Sequence, residues 1–126
     1  MTASGTVKVM IVDNNAEFRY TLACQLRTQE DFEVVGEAAS GDEAVLQAEA
    51  TAPDAIVLDV GLPEMNAASQ IRALKRAAPA AAIIALSIAA SGRYGEECRR
   101  AGGGAMLPKG CSTETIFAAI RSAGGG

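Results

Sequence analysis

Five short apolar runs, beginning near Val7, Phe32, Ala55, Ala82 and Ala105, follow one another at intervals of 25, 23, 27 and 23 residues. Runs of this kind read as strands, and each interval leaves room for a helix of about ten to fifteen residues before the next. The intervening segments carry the helical period: Phe18, Leu22 and Leu26; Ala44, Val45 and Ala48; Ile71, Leu74 and Ala78; Ile116, Phe117 and Ile120. Ser40 followed by Glu43 marks the start of the second helix as a capping box, and losing the Ser40 hydroxyl is expected to cost about 1 kcal/mol. The fourth helix has only a thin stripe of Tyr94, Cys98 and Ala101, is interrupted at Gly95 and stops at glycines 102–104, so that region is expected to be mobile.

A strand, a helix and another strand at this pitch pair in parallel through right-handed crossovers. The chain is therefore expected to form an α/β sandwich on a five-stranded parallel sheet. The runs at 7–12, 55–58 and 82–86 are continuously apolar, as central strands covered on both faces must be. The runs at 32–38 and 105–107 are more broken and suit the edges.

Composition removes several function classes. The chain has no histidine, which excludes histidine-based triads, phosphotransfer from its own imidazole and most zinc enzymes. No tryptophan and 4% aromatic residues argue against stacking single-stranded nucleic acid. A net charge of −4 is the wrong sign for neutralising DNA phosphates, so no direct nucleic-acid binding is expected. Cys24, Cys98 and Cys111 lack metal-knuckle spacing and read as reduced thiols. The longest apolar stretch, 80–90, is too short for a membrane span, and the first residues show no targeting signal, so a cytoplasmic protein is expected. Arg93, Arg99, Arg100 and Arg121 read as a solvated face or part of a partner surface.

Open parallel sheets bind ligands beyond the carboxyl ends of their strands. Strand one ends in Asp13 and Asn14, strand three in Asp59, strand four in Ser87 and strand five at Lys109. Each has a plain alternative: Asp13 or Asn14 as a helix cap, Asp59 opening a turn, Ser87 as a buried hydroxyl, Lys109 as a solvated strand end. Taken together they are the parts for holding a hard dication beside a tetrahedral anion.

The pattern is specific. Val12-Asp13-Asn14, the segment 53–65 with Asp59 and Gly61, Ala85-Leu86-Ser87, and Leu107-Pro108-Lys109 resemble the receiver domain of two-component response regulators across essentially the whole chain. Residues 31–38 are similar to the branch whose receivers precede a LuxR-type helix-turn-helix, although these 126 residues hold no such segment. The resemblance implies a flavodoxin-like (βα)5 three-layer sandwich of strand order 2-1-3-4-5. It implies one domain over 1–126, with its core at about 7–123 and tails at 1–6 and 124–126.

It also implies a signalling domain rather than an enzyme, in which Asp59 accepts a phosphoryl group from a sensor histidine kinase or a phosphotransfer protein. Mg²⁺ would be held by Asp13, Asn14, Asp59 and the Gly61 carbonyl. Lys109 would contact the phosphoryl oxygens and Ser87 would be the switch hydroxyl, drawing in the loop 88–92. The surface of the fourth helix, fifth strand and fifth helix would carry the output, to another domain or protein or to a homodimer.

Four positions depart from the family pattern. Asn14 stands where a second acidic residue is usual. Met106 stands at the switch position where Tyr or Phe is frequent, Ala67 replaces a glycine, and Ile88 replaces a smaller residue. Asn14 and Met106 favour an alternative, a pseudo-receiver that binds partners without phosphorylation. An aspartyl-phosphate hydrolase using Asp13 fits less well, since its second Asp is Asn15 here. Nucleotide and flavin folds fail on the position of their glycines and on the charge of Asp13.

Overall fold

The structure, a computed structural model, describes residues 6–60, 66–87 and 92–124. Ten elements alternate along the chain: β1 (Val7–Val12), α1 (Ala16–Arg27), β2 (Phe32–Ala38), α2 (Gly41–Thr51), β3 (Ala55–Asp59), α3 (Ala67–Ala77), β4 (Ala82–Ser87), α4 (Gly92–Arg100), β5 (Gly103–Pro108) and α5 (Thr113–Gly124). The strands form one parallel sheet in the order β2-β1-β3-β4-β5, so β1, β3 and β4 are central and β2 and β5 are the edges, as their apolar patterns require.

Alternate residues of the strands feed two cores. Val9, Ile11, Val57, Ile84 and Leu86 meet Leu22 and Leu26 of α1 and Ile116, Phe117 and Ile120 of α5. Met10, Val12, Ile56, Leu58 and Ile83 meet Ala44 and Ala48 of α2, Ile71 and Leu74 of α3, and Cys98 of α4. This is the two-residue period of a strand meeting the helical stripes on either side. Leu74, fully buried, is expected to cost about 2–5 kcal/mol when cut to alanine.

The ends of several elements differ from the sequence expectation. The fifth strand begins at Gly103, before Ala105. The glycines that stop α4 also start the strand, because a Cβ on Gly103 would lie 3.0 Å from the Cys98 carbonyl oxygen, and Gly102 turns the chain at φ +119°. α4 continues through Gly95 as helix and buries Cys98. At α2 the Ser40 Oγ accepts from the Glu43 amide at 3.3 Å, but the Glu43 carboxylate reaches back to the amide of Ala39, at 2.6 Å, one residue beyond the cap. Arg121 is exposed, as a solvated face requires, but it is also partnered within the chain. Its guanidinium grips both carboxylate oxygens of Asp31 at 2.7 and 3.0 Å and lies over the Phe32 ring, stapling α5 to the start of β2. The three cysteines are free thiols.

Candidate functional site

Five parallel strands point their carboxyl ends at one rim, which gathers residues far apart in the chain. β1 hands over to Asp13 and Asn14, β3 ends in Asp59, β4 ends in Ser87, and Lys109 follows β5. Asp13, Asp59 and Ser87 are buried, at 2%, 9% and 1% exposure. The Lys109 ammonium donates to Asp13 Oδ2 at 2.6 Å and pairs with Asp59 Oδ2 at 3.0 Å. The Lys109 amide donates to the Ser87 carbonyl at 3.0 Å, which fixes the turn after β5 against the end of β4. One ammonium thus faces two buried carboxylates, leaving a local charge of −1 in which Asn14 adds none.

The helix after β1 is capped by Asn15, not by Asp13 or Asn14: Asn15 Oδ1 accepts from the Phe18 amide at 3.0 Å. Asp13 is therefore free of capping duty. Its Oδ1 accepts from the Asn15 amide at 2.8 Å and its backbone oxygen accepts from Arg19 Nη1 at 2.6 Å, which orients the carboxylate toward Lys109. Arg19 Nε, buried without a hydrogen-bond partner among the described residues, lies 3.8 Å from Glu37 Oε1. Asn14 is exposed. Met106 is half-buried opposite Ala85 and packs into the core beneath α4. Ala67 opens α3 just after its cap, Asn66. Gly61 and Ile88 lie outside the described residues, as does most of the loop 88–92.

A cleft of about 360 Å³, as bounded by the described residues, opens beside this cluster and is lined by Asp13, Asn14, Ser40, Asp42, Asp59 and Gln70 among others. Among the described residues no three His, Cys, Asp or Glu side chains group as a metal site. Two carboxylates and the Asn14 amide oxygen remain, all hard oxygen donors on an open cleft. That set fits Mg²⁺, which is commonly held by one or two carboxylates and keeps several waters.

Sequence reading missed the parts that aim the cluster. Asn15 carried a usable signal, an Asn directly before the first helical residue, but lacks the Glu or Gln three residues on that completes a capping box. Phe18, read as one of a core stripe with Leu22 and Leu26, is only half-buried, and its ring lies 4.4 Å from Lys109 Nζ. Ser40, Asp42 and Gln70 reach the cleft only because α2 and α3 pack side by side.

The sequence pattern of the response regulator receiver domain runs through residues 9–121. The chain belongs to the response regulator receiver domain family. Over 104 residues it is 34% identical to a protein-glutamate methylesterase/protein-glutamine glutaminase of Alkalilimnicola ehrlichii, covering 82% of this chain and 27% of that protein. Over 116 residues it is 31% identical to the response regulator protein VraR of Staphylococcus aureus, covering 92% of this chain and 56% of that one. This receiver domain therefore spans about a quarter to a half of the length of these relatives.

Among solved structures it superposes on the response regulator domain of Thermotoga maritima CheB with a TM-score of 0.83, at 26% identity and over 94% and 96% of the two chains. A response regulator protein of Burkholderia pseudomallei, with a phosphorylated aspartic acid and a calcium ion, gives 0.78 at 29% identity over 90% and 66%. CheY6 of R. sphaeroides, in complex with the P1 domain of CheA3, gives 0.76 at 30% identity over 93% and 95%. Among the described residues no helix is long and apolar enough to cross a membrane.

Proposed function

We propose that this receiver domain is a phosphoryl-accepting switch in which Asp59 takes the phosphoryl group from a phosphohistidine on a sensor kinase or phosphotransfer protein. The observation that carries the reading is the Lys109 ammonium held 2.6 Å from Asp13 and 3.0 Å from Asp59 at the sheet's carboxyl rim. Two buried carboxylates against one ammonium stabilise a fold poorly, and so point to chemistry.

In the transfer, an Asp59 oxygen attacks phosphorus as the P–N bond to the donor imidazole breaks and its electron pair leaves with the nitrogen. Lys109, already beside Asp59, pairs with the phosphoryl oxygens, and the Ser87 hydroxyl donates to them once the phosphate is in place. Mg²⁺, when bound, supplies the positive charge that offsets repulsion between the carboxylates and the incoming group. Asp13, Asp59 and the Asn14 amide oxygen would hold it, with the Gly61 carbonyl as a further donor. The phosphorylated aspartic acid of the Burkholderia pseudomallei protein and the CheA3 P1 domain bound to CheY6 support both the acceptor and the donor class. Ser87 and Met106 connect the site through β4 and β5 to α4, so the output surface of this reading is α4, β5 and α5, open to a partner protein or a second copy. The domain acts in the cytoplasm, beside its donor.

Acetyl phosphate with Mg²⁺ tests the proposal. The wild type is expected to gain one phosphoryl group by intact-mass measurement, and Asp59→Asn none. If the wild type stays unlabelled beside a receiver that labels, an interaction module that works without phosphorylation takes the proposal's place, with the neutral Asn14 in its favour.

A further inference from the structure

Four contacts close a circuit around the Lys109 ammonium. Lys109 Nζ donates to Asp13 Oδ2 at 2.6 Å, Asp13 Oδ1 accepts from the Asn15 amide at 2.8 Å, and Asn15 Oδ1 accepts from the Phe18 amide at 3.0 Å. The Phe18 ring returns to Lys109, its centroid 4.4 Å from Nζ. The residues that start α1 thus aim the Asp13 carboxylate and the Phe18 ring at one cation. A benzene ring attracts an ammonium over its face, whereas an aliphatic side chain of similar size fills the space without that attraction. Phe18 is also the member of its stripe least like a core residue. It is half-buried, where Leu22 and Leu26 are 2% and 0% exposed.

We propose that Phe18 is a positioning residue for Lys109: its ring face holds the ammonium over Asp13 and Asp59, so that the phosphoryl contact is set before the donor arrives. The proposal rests on the phosphoacceptor reading for its consequence and on the geometry alone for its mechanism. Lys109 is a flexible side chain at 26% exposure. Without the ring it has more orientations to lose when it meets the phosphoryl oxygens, and the transfer slows.

The test compares Phe18→Leu with Phe18→Tyr in the full chain, using acetyl phosphate with Mg²⁺ as the probe. Phe18→Leu is expected to slow labelling of Asp59 by about three- to tenfold, between the exposed and the desolvated limits of a cation–π contact, since ring and ammonium are both partly buried. Phe18→Tyr, which keeps a ring, is expected to stay within about twofold of the wild type. A merely structural role would not predict that rescue between variants of equal thermal stability. The second readout needs no phosphorylation. In the unphosphorylated protein the Lys109 ε-methylene protons should be shielded by the ring, lose that shielding in Phe18→Leu and keep it in Phe18→Tyr. Equal Lys109 shifts in the wild type and Phe18→Leu overturn the proposal, as does a Tyr variant as slow as the Leu variant. If the wild type is not labelled at all, the phosphoacceptor reading fails, and the Lys109 shifts alone decide whether Phe18 holds the ammonium.

Discussion

Lys109 and Asp13 are 96 residues apart in the chain, yet the ammonium of one lies 2.6 Å from the carboxylate of the other. Two strands, β3 and β4, separate the ends of β1 and β5 from which they project. The contact exists because a parallel sheet brings every carboxyl end to one rim, and it includes Asp59, 3.0 Å away on the intervening β3.

Removing Lys109 leaves two buried carboxylates facing each other. Losing one partner of a fully buried pair destabilises strongly, but Lys109 is 26% exposed and the cluster borders a cleft, so Lys109→Met is expected to cost about 1–3 kcal/mol at neutral pH. Adding Asp13→Asn to that variant should recover part of the loss, since it removes half of the repulsion. A urea-unfolding cycle of the four proteins reads the coupling directly. Strict additivity would show that the ammonium does not bridge the two acids.

Asn14→Asp adds a third carboxylate to the cleft that Asp13 and Asp59 already line. Mg²⁺ affinity is expected to rise by about ten- to a hundredfold, and calorimetric titration measures it. Without Mg²⁺ the same variant should unfold at a lower temperature than the wild type, because the added charge repels its neighbours. The order of the two melting temperatures should reverse at saturating Mg²⁺.

Ala52, the residue that ends α2, holds φ +46° and ψ +62°, a left-handed conformation that penalises a Cβ. It is exposed, so its methyl group contributes little packing. Ala52→Gly is expected to stabilise the domain by about 0.5–1 kcal/mol, and Ala52→Val to destabilise it. Thermal unfolding of the pair checks the sign.

Two hydrogen bonds from Arg121 hold the Asp31 carboxyl below the usual carboxylate range, against an opposing push from desolvation. A depressed acid contributes stability fully above its unfolded value of about 3.9 and loses it as pH falls through the lower folded value. The wild type should therefore exceed Asp31→Asn in stability at neutral pH, with the difference vanishing in strong acid. The pair lies at the surface, so added salt should shrink the difference at every pH. Urea unfolding at a series of acidic pH values measures it.

The strand count, the central and edge assignments and the rim residues were legible because they depend on apolar period and on the rule that parallel strands share one end. Asp13, Asp59 and Lys109 meet as that rule requires. What was not legible depends on backbone detail. Nothing in a triplet of glycines says that Gly102 turns while Gly103 slips beneath the Cys98 carbonyl to begin β5. Periodicity placed Phe18 on the buried side of α1 but could not say that the helix starts close enough to the rim for the ring to meet Lys109. Arg121, read as surface, finds Asp31 only because α5 returns to the start of the edge strand β2.

The proposed phosphoacceptor is Asp59 rather than Asp13. After treatment with acetyl phosphate and Mg²⁺, borohydride reduction converts a phosphorylated aspartate to homoserine, which peptide mass spectrometry locates. Homoserine at position 59 alone is the predicted result. Homoserine at position 13, or none under conditions that label a working receiver, would contradict the account.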